Sequence, residues 1–347
     1  MTRHEGTSSS SIDRLTTCNY QPSYSNSNTH TPLCNRYDPL HMLTTMLQLD
    51  YLILGAGWTS TLLVPLLKSK GLSYASTSTT GRDDTIEWKY DPDQSDPKYF
   101  DVLPSARNVV IVFPLTDKGS SKRLTSSYIA THPRLEGKVR FMQLGSSGIY
   151  QIPDQPLWID RHSRYDTSKP RAIAEDELLT LGGCVLNLSG LWGGQRHPRN
   201  WVDKVGKTKD LVQSKTSLHL VHGDDVAIAI VAVFEHWDKG EKEARDCAGQ
   251  RWLVTDGFVY DWWSLFARWS HPEPAAPSSS SFTTTPPPTS TDSSQSPPSQ
   301  QSRWVFELME SDDRVKALPR SSELLGRCYD SREFWRVFGV SPTRAGL

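Results

Sequence analysis

The sequence predicts an α/β protein whose sheet is doubly wound and mostly parallel, with a small C-terminal lobe beside it. The first observation is that short apolar runs alternate with amphipathic runs throughout residues 49–270. The second is that the apolar runs are nearly continuous, as in parallel strands covered by helices on both faces. The third is the stretch LILGAGWTSTLLVPLLKSKG at 52–71, which has the pattern of a strand, a tight glycine turn and a helix. Such sheets bind ligands beyond the carboxyl ends of their strands, so we expect the functional residues there.

Each element is justified by its local pattern. Apolar, β-branched runs bounded by turn residues predict strands at 50–54, 72–77, 108–114, 139–145, 184–190 and 251–257. Amphipathic periods of about 3.6 residues predict helices at 58–70, 118–131, 170–181, 224–237 and 259–269. Pro170 suits the first position of its helix, where the missing N–H is not needed, and Asp224 or Asp225 is expected to cap the next helix.

Two segments depart from this pattern. Residues 1–48 are rich in Ser, Thr and Asn without an apolar period, and residues 271–302 are a Pro/Ser/Thr-rich tract. Neither composition buries enough apolar surface to offset chain entropy, so both segments are predicted to be disordered. The predicted organisation is a disordered N-terminal extension at 1–48, an α/β domain at 49–270, a disordered insert at 271–302 and a helical segment at 303–347 that packs on the domain.

Composition argues against several classes of function. The 38 Lys and Arg residues nearly balance 39 Asp and Glu residues, for a formal charge of −1, so charge favours neither nucleic acid nor an anionic membrane as a partner. No apolar run reaches the ~18 residues of a membrane span, and no N-terminal apolar core indicates a secretory signal. The five cysteines are scattered without the CxxC spacing of a zinc site. We therefore expect a cytoplasmic protein without a metal.

The glycine turn has the features of a dinucleotide-binding loop. Gly55 permits the tight turn, and Gly57 lets a pyrophosphate approach the backbone. Trp58, Thr59 and Ser60 begin the helix, whose N-terminus attracts negative charge. Ser60 replaces the third glycine of the usual GxGxxG pattern and is small enough for the helix to pack closely on the strand. The turn is therefore predicted to bind the diphosphate of a dinucleotide in a Rossmann-type domain, the alternative being a glycine turn that only packs.

The end of the second strand predicts which cofactor is bound. An acid at this place hydrogen-bonds the ribose hydroxyls of NAD, whereas an arginine accommodates the additional phosphate of NADP. The run STSTTGRDD at 76–84 offers Thr79 and Arg82 and has no acid before Asp83. Pro114, which bounds the third predicted strand at the same edge, completes the predicted cofactor contacts. The sequence therefore favours NADP, with NAD as the alternative; the other interpretation of Arg82 is a solvated loop residue.

Further motifs carry a resemblance to a known superfamily. They are GSSGIYQ at 145–151, LNLSGLWGGQRHPRNWV at 186–202, LHLVHGDDVAIAI at 218–230 and LVTDG at 253–257. With the glycine turn, these motifs resemble the extended short-chain dehydrogenase/reductases, in particular atypical members of the NAD-dependent epimerase/dehydratase superfamily. The resemblance implies an NAD(P)-binding Rossmann domain, a small-molecule substrate and a C-terminal lobe on the substrate side.

The resemblance also implies catalytic residues. The segment YDTSK matches the family's Y-x-x-S-K motif, in which Tyr165 moves a proton while Lys169 lowers the tyrosine pKa and holds the nicotinamide ribose. Ser146, four residues before Tyr150, would orient the substrate oxygen, or else is merely a small residue beside the cofactor ring. The sequence departs from the family at Pro170. Proline disfavours the α conformation for the residue before it, so Lys169 is expected to be extended and the helix to begin at Pro170.

The remaining candidates lie on loops that border the substrate in this family. They are Tyr150, Arg196 and His197, of which the last two either bind a carboxylate or phosphate or form a solvated basic loop. His222 is expected to cap the helix that follows it. The leading prediction is an NAD(P)-dependent oxidoreductase or epimerase/dehydratase-like enzyme that acts on a small carbonyl or alcohol. The alternative is a non-catalytic dinucleotide-binding protein that senses redox state or binds a partner.

Overall fold

The computed structural model describes residues 48–94, 96–269 and 297–347. The segments predicted to be disordered, 1–48 and 271–302, lie outside the described residues except at their C-terminal ends. No helix in the described ranges is long and apolar enough to cross a membrane.

A parallel sheet forms the centre of the fold. The strands of the described ranges are, in chain order, β1 (Leu49–Leu54), β2 (Tyr74–Ser78), β3 (Ile86–Glu87), β4 (Ala106–Ile111), β5 (Arg140–Ser146), β6 (Trp158–Ile159), β7 (Cys184–Leu188), β8 (Gly190–Trp192), β9 (Ser217–Leu218), β10 (Leu220–His222), β11 (Arg251–Val254), β12 (Tyr260–Asp261) and β13 (Cys328–Tyr329). Seven of them form one sheet in the order β3-β2-β1-β4-β5-β7-β11, in which every neighbouring pair is parallel. The order reverses between β1 and β4, where doubly wound sheets bind ligands. The predicted fold class is confirmed.

Helices cover both faces of this sheet. In chain order the helices of the described ranges are α1 (Ser60–Ser69), α2 (Ser120–Thr131), α3 (Pro170–Thr180), α4 (Val202–Val205), α5 (Lys209–Ser214), α6 (Gly223–Trp237), α7 (Glu241–Ala244), α8 (Trp262–Arg268), α9 (Gln300–Ser311), α10 (Ser322–Leu325) and α11 (Arg332–Phe338). Tyr51 and Ile53 of β1 pack with α1 and α6, whereas Leu52 and Leu54 pack on the opposite face with α2 and α3. The apolar run of β1 is therefore buried on both sides, as expected for a central parallel strand.

The start of α6 confirms one prediction and corrects another. The Nδ1 atom of His222 accepts a hydrogen bond from the Asp224 backbone N–H at 3.1 Å, so His222 caps the helix as predicted. The predicted cap by Asp224 or Asp225 was wrong, because the helix begins at Gly223 and both carboxylates fall in its first turn. Asp225 is fully buried and accepts hydrogen bonds from the Thr343 backbone and hydroxyl, which ties the C-terminal tail to α6.

A separate, smaller apolar cluster forms the C-terminal lobe. α4, α5, α8 and α9 pack together through buried residues that include Val212, Trp263, Phe266 and Val305. α9 begins at Gln300, before the position 303 at which the helical segment was expected to start. The lobe therefore has its own core, distinct from the two apolar layers on the faces of the sheet.

Candidate functional site

The glycine turn lies at the carboxyl end of β1 and is fixed to β2. Gly55 has φ of +96°, which few residues other than glycine adopt, and its amide donates to the Thr77 hydroxyl at 3.0 Å. The Ala56 amide donates to the Thr77 carbonyl oxygen. A side chain at Gly55 would also come within 3.1 Å of the Phe113 ring, at the end of β4. The turn is thus held between the second and fourth strands, at the point where the strand order reverses.

The backbone amides that follow this turn are available to a ligand. Gly57 donates to the Gly55 carbonyl and Ser60 donates to the Gly57 carbonyl, but within the described ranges the Trp58 and Thr59 amides have no acceptor. No side chain caps α1. A methyl group added to Gly57 would meet nothing within 4 Å. The free amides therefore stand at the positive end of the α1 dipole beside open space, an arrangement suited to an anion.

A cavity of about 390 Å³ adjoins the turn, along the ends of β1, β2 and β4. Gly55, Thr79 and Pro114, three of the predicted cofactor contacts, line it. Three aromatic side chains, those of Trp88, Tyr90 and Phe113, contribute to its walls, and the Tyr90 ring stacks on Phe113 with the ring centroids 5.8 Å apart. The volume lies within the range of small-ligand sites, ~300–1,000 Å³. These aromatic residues were not predicted from the sequence.

Arg82 reaches back over the glycine turn. One terminal guanidinium nitrogen donates to the Ala56 carbonyl at 3.0 Å, and the other pairs with Asp83 at 3.3 Å. Both side chains of this pair are more than half exposed, at 60% and 81%. Solvent-exposed ion pairs are weak, so Asp83 does not fix the guanidinium in place. Arg82 therefore supplies positive charge at the turn, as the cofactor prediction requires.

Ser146 and Lys169 both hydrogen-bond to the backbone of Gly148. Ser146 ends β5 and its hydroxyl accepts a hydrogen bond from the Gly148 amide at 3.2 Å. Lys169 is extended, with φ of −64° and ψ of 129°, and α3 begins at Pro170, so this prediction is confirmed. The Lys169 amine donates to the Gly148 carbonyl at 2.7 Å. The lysine therefore stays close to the loop of Ser146 although it is outside the helix.

Tyr165 has a different set of partners. Its hydroxyl donates to an Asp176 carboxylate oxygen at 2.8 Å, and the Arg251 guanidinium lies 4.3 Å from the centre of its ring. No hydrogen bond in the described part of the chain joins this hydroxyl to Ser146 or Lys169. Burial, and then the hydrogen bond to Asp176, raise the pKa of Tyr165, against the lowering effect of Arg251. The phenol is thus held neutral, whereas a base needs a lowered pKa.

A buried polar network links Tyr165 to the backbone at Ser146. Glu175 is fully buried, and one of its oxygens accepts a hydrogen bond from the Ser146 amide at 3.3 Å. Its other oxygen accepts from the Asn187 side chain at 2.8 Å and from Arg251 at 3.3 Å. Burial raises the pKa of Glu175 despite these donors. Sequence reasoning missed Arg251; a cation at the start of an otherwise apolar strand was the signal that could have found it.

The prediction that Tyr150 contacts the substrate does not agree with the structure. Its side chain is fully buried, and its hydroxyl donates to the Arg161 carbonyl at 3.3 Å. Its ring packs edge-on against Tyr165 and Tyr329, with centroids 6.0 and 6.3 Å away. The phenol therefore supports the loop from inside and does not present a hydroxyl to a ligand.

Arg196 lies beside Trp58 of the glycine turn, and His197 follows it in the same loop. The Arg196 guanidinium lies 4.5 Å from the centre of the Trp58 ring, and its side chain is exposed. The Nδ1 atom of His197 accepts from the Arg199 amide at 3.1 Å, and its ring centroid is 6.0 Å from that of Trp269. The structure thus brings a basic loop to the free amides of α1, while His197 is occupied as a cap.

Comparison with known proteins gives fold matches only. No family model and no curated protein matches the sequence. MoeE5 in complex with UDP-glucose and NAD is 15% identical, with a TM-score of 0.50 over 86% of this chain and 94% of that one. UDP-galactose 4-epimerase is 12% identical, with a TM-score of 0.51 over 85% and 94%. Gre2 from Candida albicans is 13% identical, with a TM-score of 0.50 over 85% and 95%. The chain therefore shares the fold of MoeE5, UDP-galactose 4-epimerase and Gre2. The resemblance inferred from its motifs is therefore confirmed at the level of fold.

Proposed function

We propose that this protein binds a nicotinamide dinucleotide across the carboxyl edge of its sheet. We further propose that it acts as an oxidoreductase or epimerase/dehydratase-like enzyme on a small carbonyl or alcohol. The observation that carries the proposal is the pair of free amides at Trp58 and Thr59, at the switch point between β1 and β4. A helix N-terminus at a switch point is where doubly wound proteins bind a diphosphate.

The residues present fit such a cofactor. The diphosphate would lie against Gly57 and accept hydrogen bonds from the two free amides, because a glycine there leaves the approach open. The adenosine half would occupy the aromatic cavity beside Thr79 and Pro114. Arg82, which lies over the turn, would pair with the additional phosphate of NADP, so NADP is the proposed cofactor. The nicotinamide would then point along the edge towards Ser146.

The proposed chemistry takes place at the end of β5. A bound nicotinamide would supply hydride transfer to or from the substrate carbon. Ser146 would orient the reacting oxygen, and Lys169 would add positive charge to the same loop. Tyr165 would exchange a proton with that oxygen after its hydroxyl leaves Asp176. Arg196 would bind an anionic group of the substrate beside the turn.

One observation favours a second candidate, a dinucleotide-binding protein without catalysis. The Tyr165 hydroxyl is engaged by Asp176 and its pKa is raised, which is opposite to what a proton-abstracting phenol needs. In this candidate Tyr165 and Arg251 are parts of the buried network that holds β5, α3 and β11 together. The protein would then respond to cofactor binding without turning over a substrate.

Two measurements test these proposals. Separate fluorescence titrations with NADPH and NADH should show saturable binding, with NADPH tighter; binding of neither nucleotide at millimolar concentration would refute the site. Turnover with a panel of aldehydes, ketones and nucleotide sugars is then measured for the wild type and Tyr165→Phe. If Tyr165 transfers the proton, the variant should lose roughly 100-fold or more in kcat at unchanged nucleotide affinity. Nucleotide binding without any turnover supports the second candidate, and full turnover by the variant removes Tyr165 from the mechanism.

A further inference from the structure

The hydroxyl of Ser146 is held by the peptide that joins Ser147 to Gly148. The N–H of that peptide donates to the Ser146 hydroxyl oxygen at 3.2 Å. Its C=O, which belongs to Ser147, accepts a hydrogen bond from the Tyr329 hydroxyl at 2.9 Å. Tyr329 lies on β13, 182 residues further along the chain. One peptide therefore joins a residue of the C-terminal segment to the candidate catalytic serine.

The planarity of the peptide connects these two hydrogen bonds. The C=O and N–H of a trans peptide lie in one plane and point in opposite directions, so a donor that fixes the C=O also fixes the N–H. A rotation of this peptide would break both bonds together. The two bonds also polarise the peptide in the same sense, which strengthens each of them. The Tyr329 hydroxyl therefore restrains the N–H that holds Ser146.

The other contacts of Ser146 restrain its main chain only. Its amide donates to Glu175 at 3.3 Å, and its carbonyl accepts from the Asn187 side chain at 3.3 Å. These bonds fix the end of β5 but leave the serine side chain free to change its rotamer. Within the described ranges the Gly148 amide is the one hydrogen-bond partner of the Ser146 hydroxyl. The rotamer of Ser146 therefore depends on the orientation of that amide.

The bond from Gly148 leaves the hydroxyl proton of Ser146 available. A hydroxyl has one proton to donate and two lone pairs, and the amide occupies one lone pair. In the part of the chain that the structure describes, the proton has no acceptor. Ser146 is half-buried, so a ligand can reach it. The hydroxyl is thus able to donate to a reacting oxygen, which is the role proposed for it above.

Tyr329 is itself firmly held. Its side chain is buried, and its ring centroid lies 4.3 Å from that of His219. Its backbone amide donates to the Nε2 atom of His219 at 3.0 Å. Burial and then Arg327 lower the pKa of His219 to about 3, so the imidazole is neutral and able to accept this bond. Burial raises the pKa of Tyr329, so the phenol keeps the proton that it donates to Ser147.

We propose that Tyr329 is a positioning residue for Ser146. It acts through the peptide between Ser147 and Gly148 and directs the serine hydroxyl at the reacting oxygen. Its effect on the reaction rests on the function proposed above, whereas its effect on the orientation of the hydroxyl does not. Two experiments separate these effects, because only one of them needs turnover.

Selective isotope labelling measures the orientation without a substrate. The sequence contains two Ser-Gly peptides, Ser147-Gly148 and Ser189-Gly190. Protein made by cell-free synthesis with serine labelled at the ¹³C carbonyl and with ¹⁵N-glycine therefore gives two signals in an HNCO spectrum. The Gly190 signal is the internal control, since its amide donates to the His219 carbonyl at 3.0 Å and not to a serine.

The variants should move one of these two signals. In Tyr329→Phe the Ser147 carbonyl loses its donor, and the Gly148 amide is no longer held towards Ser146. Both the carbonyl carbon and the amide proton should then move to lower chemical shift, because a hydrogen bond deshields both nuclei. Ser146→Ala should move the same amide proton, whereas the Gly190 signal should stay in place. An unchanged Gly148 signal in folded Tyr329→Phe overturns the inference.

Kinetics test whether this orientation matters for turnover. Tyr329→Phe should lower kcat roughly 10- to 100-fold, as small misplacements of a reacting group do, with KM and the Kd of NADPH unchanged. Tyr128→Phe is the matched control, because it also removes a buried hydroxyl that bonds the backbone, and it should keep the wild-type kcat. In a Ser146→Ala background Tyr329→Phe should have no further effect, since it acts through that hydroxyl. An equal fall in kcat in that background, or in the control, overturns the assignment.

The remaining outcomes are also decisive. Thermal unfolding establishes that each variant is folded. If Tyr329→Phe does not fold, hydrogen exchange of the wild type carries the test: the Gly148 amide should be protected, and exchange at the rate of an unbonded amide overturns the inference. If the wild type turns over no substrate, the proposed reaction fails, and the HNCO spectra alone decide whether Tyr329 orients Ser146.

Discussion

Replacing Gly57 by alanine separates a role in binding from a role in folding. Gly57 is exposed, its φ lies outside the left-handed region that favours glycine, and an added methyl group would meet nothing within 4 Å. Alanine at such a position changes the free energy of unfolding by less than about 1 kcal/mol, in the stabilising direction. We therefore expect Gly57→Ala to fold with an unchanged or slightly raised Tm. The neighbouring Gly55 does not offer this test, because its φ of +96° would strain any side chain.

The methyl group occupies the space through which a diphosphate would approach the backbone. The amides of Trp58 and Thr59 would each give the diphosphate a charge-assisted hydrogen bond. A hydrogen bond to a charged group contributes about 1.5–3 kcal/mol. Loss of one of the two bonds therefore weakens Kd by roughly 10- to 100-fold, at about 1.4 kcal/mol for each factor of ten. The effect should be the same for NADPH and NADH, because both carry the diphosphate.

Fluorescence titration of the wild type and Gly57→Ala measures this change directly. Ser69→Ala is a matched control at the far end of the same helix, where the hydroxyl only donates to the Leu66 carbonyl at 2.8 Å. The control should keep the wild-type Kd. A Gly57→Ala protein that is folded and keeps Kd within about threefold would show that the diphosphate is not bound at this turn. A large fall in Tm would show instead that the turn needs glycine for folding.

Three further predictions follow from single contacts. Arg82→Gln should weaken NADPH about tenfold and leave NADH unchanged in the same titrations, because Arg82 would meet only the additional phosphate; an equal effect on both nucleotides contradicts its assignment. Tyr128→Phe should lower the free energy of unfolding in urea by about 1–3 kcal/mol. The reason is that the hydroxyl of Tyr128 bonds both the Ala106 amide and the Pro104 carbonyl at 2.9 Å in a buried site. Burial raises the pKa of Asp256 from 3.8 to about 6, so between these values the native protein binds more protons than the unfolded chain and loses stability as pH rises. Asp256→Asn should flatten that part of the curve of unfolding free energy against pH, and an unchanged slope in this interval would count against it.

The parts of the fold that depend on local pattern were predictable. The apolar run of β1, the turn at Gly55 and the φ restriction at Pro170 are each set by a few adjacent residues, and the structure agrees with all three. Ends of strands were less predictable. The strand expected at 108–114 ends at Ile111, because the apolar run continues beyond the last ladder hydrogen bonds into a loop where Phe113 lines the cavity. An apolar run therefore predicts which residues are buried, but it does not mark where a strand ends, because buried residues continue into the loop that follows.

The partners of the candidate catalytic residues were not predictable from the motif. The letters YDTSK fix neither the direction of the Tyr165 ring nor its acceptor. The hydroxyl's acceptor, Asp176, lies in α3, the helix that follows Tyr165. The cation over the ring, Arg251, begins β11, a strand at the edge of the sheet. Tyr150 was likewise expected to contact the substrate, whereas its side chain is buried against Tyr329 from a distant part of the chain. Such contacts are set by tertiary packing, which a motif does not encode.

The pair of Tyr165 and Asp176 decides between the two functional candidates, and Asp176→Asn tests it. The asparagine keeps the shape of the side chain but removes the negative charge that helps to raise the pKa of Tyr165, while Arg251 keeps its contact with Glu175. The pKa of Tyr165 should therefore fall. It can be followed by ultraviolet absorbance as the difference between matched proteins with and without Tyr165→Phe. If Tyr165 accepts a proton in turnover, the limb of the rate profile on which the rate rises with pH should move to lower pH together with this pKa. An unchanged tyrosine pKa would show that burial alone controls the phenol. A lowered pKa with no turnover at any pH would support the second candidate, a non-catalytic dinucleotide-binding protein. In that case, removal of the Asp176 charge would have lowered the pKa of the phenol without producing a functional catalytic base.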